Sequence, residues 1–160
     1  MIFKSLHPHS KIWIYISSIP INNSYKEEIS LLFKKFNDEW KSHGEKISGS
    51  LKFIGNNIVV IGANYLGVDM CGRSVDAQVR FVSQIDQELG LDLLNRNNLA
   101  FSILDKINIF SFSEIENLIK EDKINRRTRF YNNYCSKNSD SLQLPFGAVS
   151  YTHLTLPTKA

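Results

Sequence analysis

Leu51-Lys52-Phe53-Ile54-Gly55-Asn56-Asn57-Ile58-Val59-Val60-Ile61-Gly62-Ala63 is the stretch that decides the fold class. Gly55-Asn56, set between two runs rich in β-branched and aromatic residues, signals a β-hairpin. The second run, Asn57 to Ala63, is apolar almost throughout, as in a strand covered on both faces. A sheet with such a strand needs helices or a further layer packed on it.

Working downstream, the 64–73 loop leads into Cys71-Gly72-Arg73-Ser74-Val75-Asp76, a strand-to-helix turn of the kind where α/β folds place chemistry. Ser74 is the expected helix cap, Val75, Val79, Val82, Ile85 and Leu89 the apolar stripe, and Gly90 the stop. Asn98–Ile103 and Lys106–Phe110 read as a strand pair around a turn at Asp105. Ser113-Glu114-Ile115-Glu116 is a capping-box pattern that opens a short helix through Ile119. A last strand covers Thr128–Tyr134, and residues 136–147 are polar and read as loose.

Upstream, Ile12–Ile16 is a strand that ends at Ser17-Ser18-Ile19-Pro20. Ser24-Tyr25-Lys26-Glu27 fits a capping box for a helix over 25–43, with Ile29, Leu32, Phe33, Phe36 and Trp40 on one stripe and Gly44 as its stop. The order is β-α-β-β-α-β-β-α-β. It predicts one α+β domain over residues 1–147, a mixed sheet with two long helices and one short helix packed on it. The first six elements have the split βαβ order of ferredoxin-like folds.

Composition narrows the functional classes. A formal charge of +3, one unit lower without Lys159, is too small to imply a polyanion partner. Two cysteines make no disulfide framework, which favours a reducing compartment. The N-terminus is too polar for a signal-peptide core, and no apolar run approaches the ~20 residues of a membrane helix. The expectation is a soluble cytoplasmic protein with no membrane partner.

Several segments together resemble a family of small uncharacterised proteins of the Bacteroidota. Lys11–Tyr15 is similar to its opening strand, Trp40-Lys41-Ser42-His43-Gly44 to its Trp-x-x-His-Gly helix end, and Asn57–Val60 to its central strand. Gly72–Asp76 is similar to its Gly-Cys-Ser-Ile-Asp turn, Leu91–Arg96 to an Asp-Leu-Leu-Asp-Arg segment, and Thr128–Asn133 to a late Thr-x-x-Phe-Asn-Asn strand. The turn cysteine of the family aligns with Arg73, while Cys71 stands two residues earlier. Members often carry the label "ABC transporter ATPase", which these residues do not support. Gly62, Gly67 and Gly72 form no Gly-x-x-x-x-Gly-Lys-Ser/Thr phosphate cradle. Val149–Ala160 resembles the in-frame translation of a transposase adapter used in sequencing libraries. It is set aside with Ala148 as a non-native tail, which leaves the native C-terminus outside the chain.

The candidate chemistry is sparse. Cys71 as nucleophile, His43 as base and Asp76 as orienter would make a thiol site, but the plain reading of Cys71 is an inert cysteine three residues ahead of the cap, beyond the reach of the helix dipole. Gly72, Arg73 and Ser74 can bind an anion through a guanidinium fork and free amides, with a capped helix start as the plain reading. His43 reads as a cation at a helix C-terminus. His7, His9, His43, Cys71 and Asp76 lack diagnostic metal-ligand spacing, and nothing calls for a cofactor. Lys123, Arg126, Arg127 and Arg129 run into Phe130 and Tyr131, an RNA-like pattern, but a solvated basic loop accounts for it more simply. Arg96 is a candidate anchor for Asp76 or Asp92. The leading expectation is a non-catalytic binding or regulatory module with a protein or anionic small-molecule partner. The alternative is an enzyme acting on an anionic small molecule at the 71–76 turn.

Overall fold

The computed structural model describes residues 1–64 and 70–148; residues 65–69 of the loop expected over 64–73, and the tail from 149, lie outside them. In chain order the elements are β1 (Lys11–Ile16), α1 (Asn23–Glu39), β2 (Lys41–Ser42), β3 (Glu45–Lys46), β4 (Ser48–Ile54), β5 (Ile58–Asn64) and α2 (Gly72–Leu89). They continue as β6 (Asn98–Ile103), β7 (Lys106–Ser111), α3 (Ile115–Lys120), β8 (Arg129–Tyr131) and β9 (Gln143–Pro145). The architecture is α+β.

The hairpin of β4 and β5 forms around Gly55-Asn56, with Ile54 opposite Ile58. β1 takes the other edge of β5, pairing Ile14 with Val60, so the first sheet has the order β1-β5-β4. Both ladders are antiparallel, so β1 and β4 run parallel with β5 between them. That is the split β-α-β arrangement. In a complete ferredoxin-like sheet a fourth strand would pair with the free edge of β1. Here β6 turns into a second sheet of order β7-β6-β8-β9. The free edge of β1 is satisfied piecemeal instead: Ser136 O accepts from Ile12 N, Arg96 Nη1 donates to Ile14 O, and Asn98 Nδ2 donates to Ile16 O. Arg96 also lies 5.4 Å over the Tyr15 ring, so it anchors β1 rather than Asp76 or Asp92.

Strand alternation then builds the layers. Tyr15, Val59 and Ile61 face α1 and α2, where Ile29, Phe33 and Val82 close the first core cluster. Ile12, Ile14 and Val60 face the other way, covered by Phe3 and Leu6 of the N-terminal segment and by Ala100 and Tyr131 of the second sheet. Leu99, Phe101 and Phe130 point outward from that sheet against Ile115, Leu118 and Phe146. β5 serves two layers, which is why it is apolar throughout.

Several boundaries differ from the sequence reading. The cap of α1 is Asn22, whose side chain accepts from Tyr25 N, so the helix starts ahead of the Ser24–Glu27 pattern. The helix stops at Glu39, because Trp40 turns to extended backbone and sinks into the core. His43 (φ 51) and Gly44 (φ 77) are then the two turn residues of the β2–β3 hairpin, not a helix end. The capping box before α3 is built by Ser111 and Glu114, two residues earlier than expected. The last expected strand shrinks to β8, and residues 136–147 are integral to the fold. Asn138 accepts from Phe3 N and donates to Phe3 O and Leu6 O, and Phe146 is fully buried.

Candidate functional site

The 71–76 turn is assembled by two neighbours, the end of α1 and the small β2–β3 hairpin. The Trp40 Nε1–H donates to Ser74 O at 2.9 Å. Ser42 Oγ accepts from Cys71 N at 3.0 Å, and the buried Ser74 hydroxyl donates to Lys41 O. The first turn of α2 is thus clamped before the chain enters the helix.

Helix α2 begins three residues earlier than the Ser74 cap would place it. Cys71 is the N-cap residue, and its carbonyl accepts from Ser74 N and Val75 N. The thiol therefore sits at the positive end of the helix, contrary to the distance argued from sequence. Its Sγ lies 3.0 Å from Ser74 Oγ. Bonds from the Ser74 hydroxyl, then the Ser42 hydroxyl and the Ser74 amide, outweigh burial and, with the His43 amide, hold the thiol down at about 6. Ser74 has a single hydroxyl proton, for which Lys41 O and the sulfur compete. When that proton faces Lys41 O, the Cys71 S–H donates to Ser74 Oγ and the pull on the thiol weakens. Cys135 is the opposite case: burial pushes its thiol up to about 11.

Of the three candidates for a thiol site, two adjoin: the His43 amide bonds the Cys71 thiol. Asp76 is exposed and has no described bond to Cys71 or His43. His43 is exposed on its hairpin turn and reaches the thiol with its backbone amide. Neither lines a cavity described here. Phe130 and Tyr131 are buried, so neither ring offers the basic run ahead of them a stacking platform for bases.

What the fold does bring together is a groove of about 650 Å³ between α1 and α2, on the side away from the sheet. The two helices pack antiparallel: Trp40 meets Ser74 at one end, and Phe36 stacks on Phe81 further along, at 4.9 Å and 20°. Leu32 and Phe36 from α1 and Ala77 from α2 form the floor. Lys35, Lys41, Arg73 and Arg80 stand on the walls against one carboxylate, Glu39. All four cations are exposed, and none is in an ion pair among the described residues. Of the residues singled out in sequence, Arg73 and Ser74 line this groove. Lys35, Lys41 and Arg80 were missed. The signal for Arg80 was its i, i+7 spacing from Arg73, which keeps both on one helix face.

Comparison with protein-family models, with curated proteins and with solved structures finds no match to this chain. The site therefore rests on its own chemistry. Among the described residues no helix is long and apolar enough to cross a membrane, and no group of three metal-ligating side chains gathers.

Proposed function

We propose that this protein is a non-catalytic binding module whose ligand is anionic and occupies the groove between α1 and α2. The observation that carries this reading is the charge imbalance of the groove: four cations, none ion-paired among the described residues, against one carboxylate of the described lining, over an apolar floor. Each exposed cation is solvated and gains little alone. Several converging on one concave surface raise the local concentration of anions. A volume of this size suits an organic ligand or one face of a peptide. The test is calorimetric titration with sodium tripolyphosphate, a ten-carbon dicarboxylate and an acidic peptide, against wild type and Arg80→Glu. Binding of at least one of them, lost in Arg80→Glu, supports the module. Uniform silence overturns it.

A second reading, an enzyme acting on an anionic small molecule, is favoured by one observation, the Cys71 thiol at the N-cap of α2. Arg73 would hold the substrate anion and the thiolate would attack. Asp76 makes no described bond to Cys71 or His43, which ranks this reading second. Burst release of one leaving group per chain from an activated thioester, abolished in Cys71→Ser, would reverse the ranking.

A further inference from the structure

The cations of the groove are not spread evenly, and their spacing says more about the ligand than their sum. Lys41 and Arg73 stand at the end where the hairpin clamps the first turn of α2. Arg80 stands seven residues further along α2, and Lys35 lies on α1 beside Phe36, which stacks on Phe81. Seven residues of helix advance about 10 Å. Between the two cationic ends of α2 lies Ala77, and the Phe36 ring extends this apolar floor toward the Lys35 end.

We infer that the ligand is an acidic amphipathic helix of a protein partner, laid along the groove as a third helix against α1 and α2. This rests on the groove being the binding surface, as proposed above. A helix repeats its face every seven residues with the same rise as Arg73 to Arg80. Carboxylates at i and i+7 therefore meet both cationic ends together, while apolar residues at i+3 and i+4 reach Phe36 and Ala77. The cleft between two packed helices is also the shape into which the side-chain ridge of a third helix settles. A compact phosphate engages one end and leaves the other uncompensated. A nucleotide would in addition want a run of backbone amides around its phosphates, and among the described residues no such loop lines this groove. Charge complementarity and repeat length together select a helix.

The test is fluorescence anisotropy with a labelled helical peptide of about two turns and a half. It carries glutamates at i and i+7 and leucines at i+3 and i+4, and is run beside a scrambled peptide of equal composition. The expected result is binding about tenfold tighter for the patterned peptide, weakened about tenfold by Arg73→Glu or by Arg80→Glu alone. In the double variant, a peptide with lysines in place of the two glutamates should recover binding. Equal binding of the scrambled peptide overturns the inference. So does a dicarboxylate or tripolyphosphate that binds while the patterned peptide does not, an outcome that leaves the anion-binding module standing. If neither the peptide nor the small anions bind folded protein, both proposals fall.

Discussion

At the scale of single residues, two side chains behave differently from their types. Cys71 was legible as a cysteine near a helix start, but not as the cap itself, because Ser74 three residues on is a better cap by type. Packing reversed the choice: the Ser74 hydroxyl faces Lys41 O and Cys71 Sγ, and the turn then starts at Cys71. Alkylation by iodoacetamide should therefore label Cys71 with a midpoint near pH 6 and leave Cys135 unlabelled up to about pH 10, followed by intact mass. Ser74→Ala should move that midpoint upward, since it removes the largest bond to the thiolate. An unchanged midpoint would mean that the hydroxyl proton stays on Lys41 O. Asp92 is the second case. Burial pushes its carboxyl up, but bonds from Ser18, Asn98 and Ser17 outweigh that and hold it at about 2. A carboxyl depressed by folding stabilises above its unfolded value of about 4, and that stabilisation is lost as pH falls through about 2. Asp92→Asn should cost about 1–2 kcal/mol at pH 7 in urea titrations, screening at this half-buried site included. The difference from wild type should shrink as pH falls through about 2 and close below it.

At the scale of elements, the sequence placed the long helices and the strand pairs correctly in kind and found some ends, the Asn98–Ile103 strand and the Gly90 stop among them, while it misplaced the end of α1 and the start of α2. Apolar periodicity survives any neighbour, whereas a terminus depends on which backbone groups find partners elsewhere. The end of α1 shows this. Trp40 continues the helical stripe in sequence, yet it leaves the helix because its indole can both fill the core and donate to Ser74 O. The β2–β3 hairpin that follows has only two residues per strand, too short for a period-2 signal. Close packing on β5 offers a sharp test of the layer below. A Cβ at Gly62 would stand 2.6 Å from Leu6 Cδ1 and 2.9 Å from Phe3 Cε2. Gly62→Ala should therefore destabilise by about 1–3 kcal/mol, read by chemical denaturation, by wedging the N-terminal segment off the sheet. Leu6→Ala in the same chain should recover part of that loss.

At the scale of the whole molecule, the surprise is residues 136–147. Their polar composition reads as loose chain, and the sequence offers no local periodicity to say otherwise. They are ordered by long-range contacts: Asn138 ties down the N-terminal segment, and Phe146 enters the cluster of Phe101 and Phe130 at ring distances of 5.1 and 5.4 Å. Phe146→Ala should cost about 3–5 kcal/mol, since it empties a fully buried ring site. Differential scanning calorimetry would show it as a lower melting temperature, and a wild-type melt would mean the second sheet holds without its closing ring.

The sequence alone determined the α+β class, the central hairpin and the two amphipathic helices, because each is written in local periodicity and turn chemistry that no distant contact overrides. It also placed Arg73 and Ser74 at a turn that takes part in the groove. Only the tertiary structure decided that Cys71 caps α2, that β6 leaves β1 for a second sheet, and that Lys35, Lys41, Arg73 and Arg80 surround one groove. Those three facts share a physical cause. Each depends on which groups from distant parts of the chain satisfy one another, and that pairing is set by packing, where the spacing of residues along the chain carries no information.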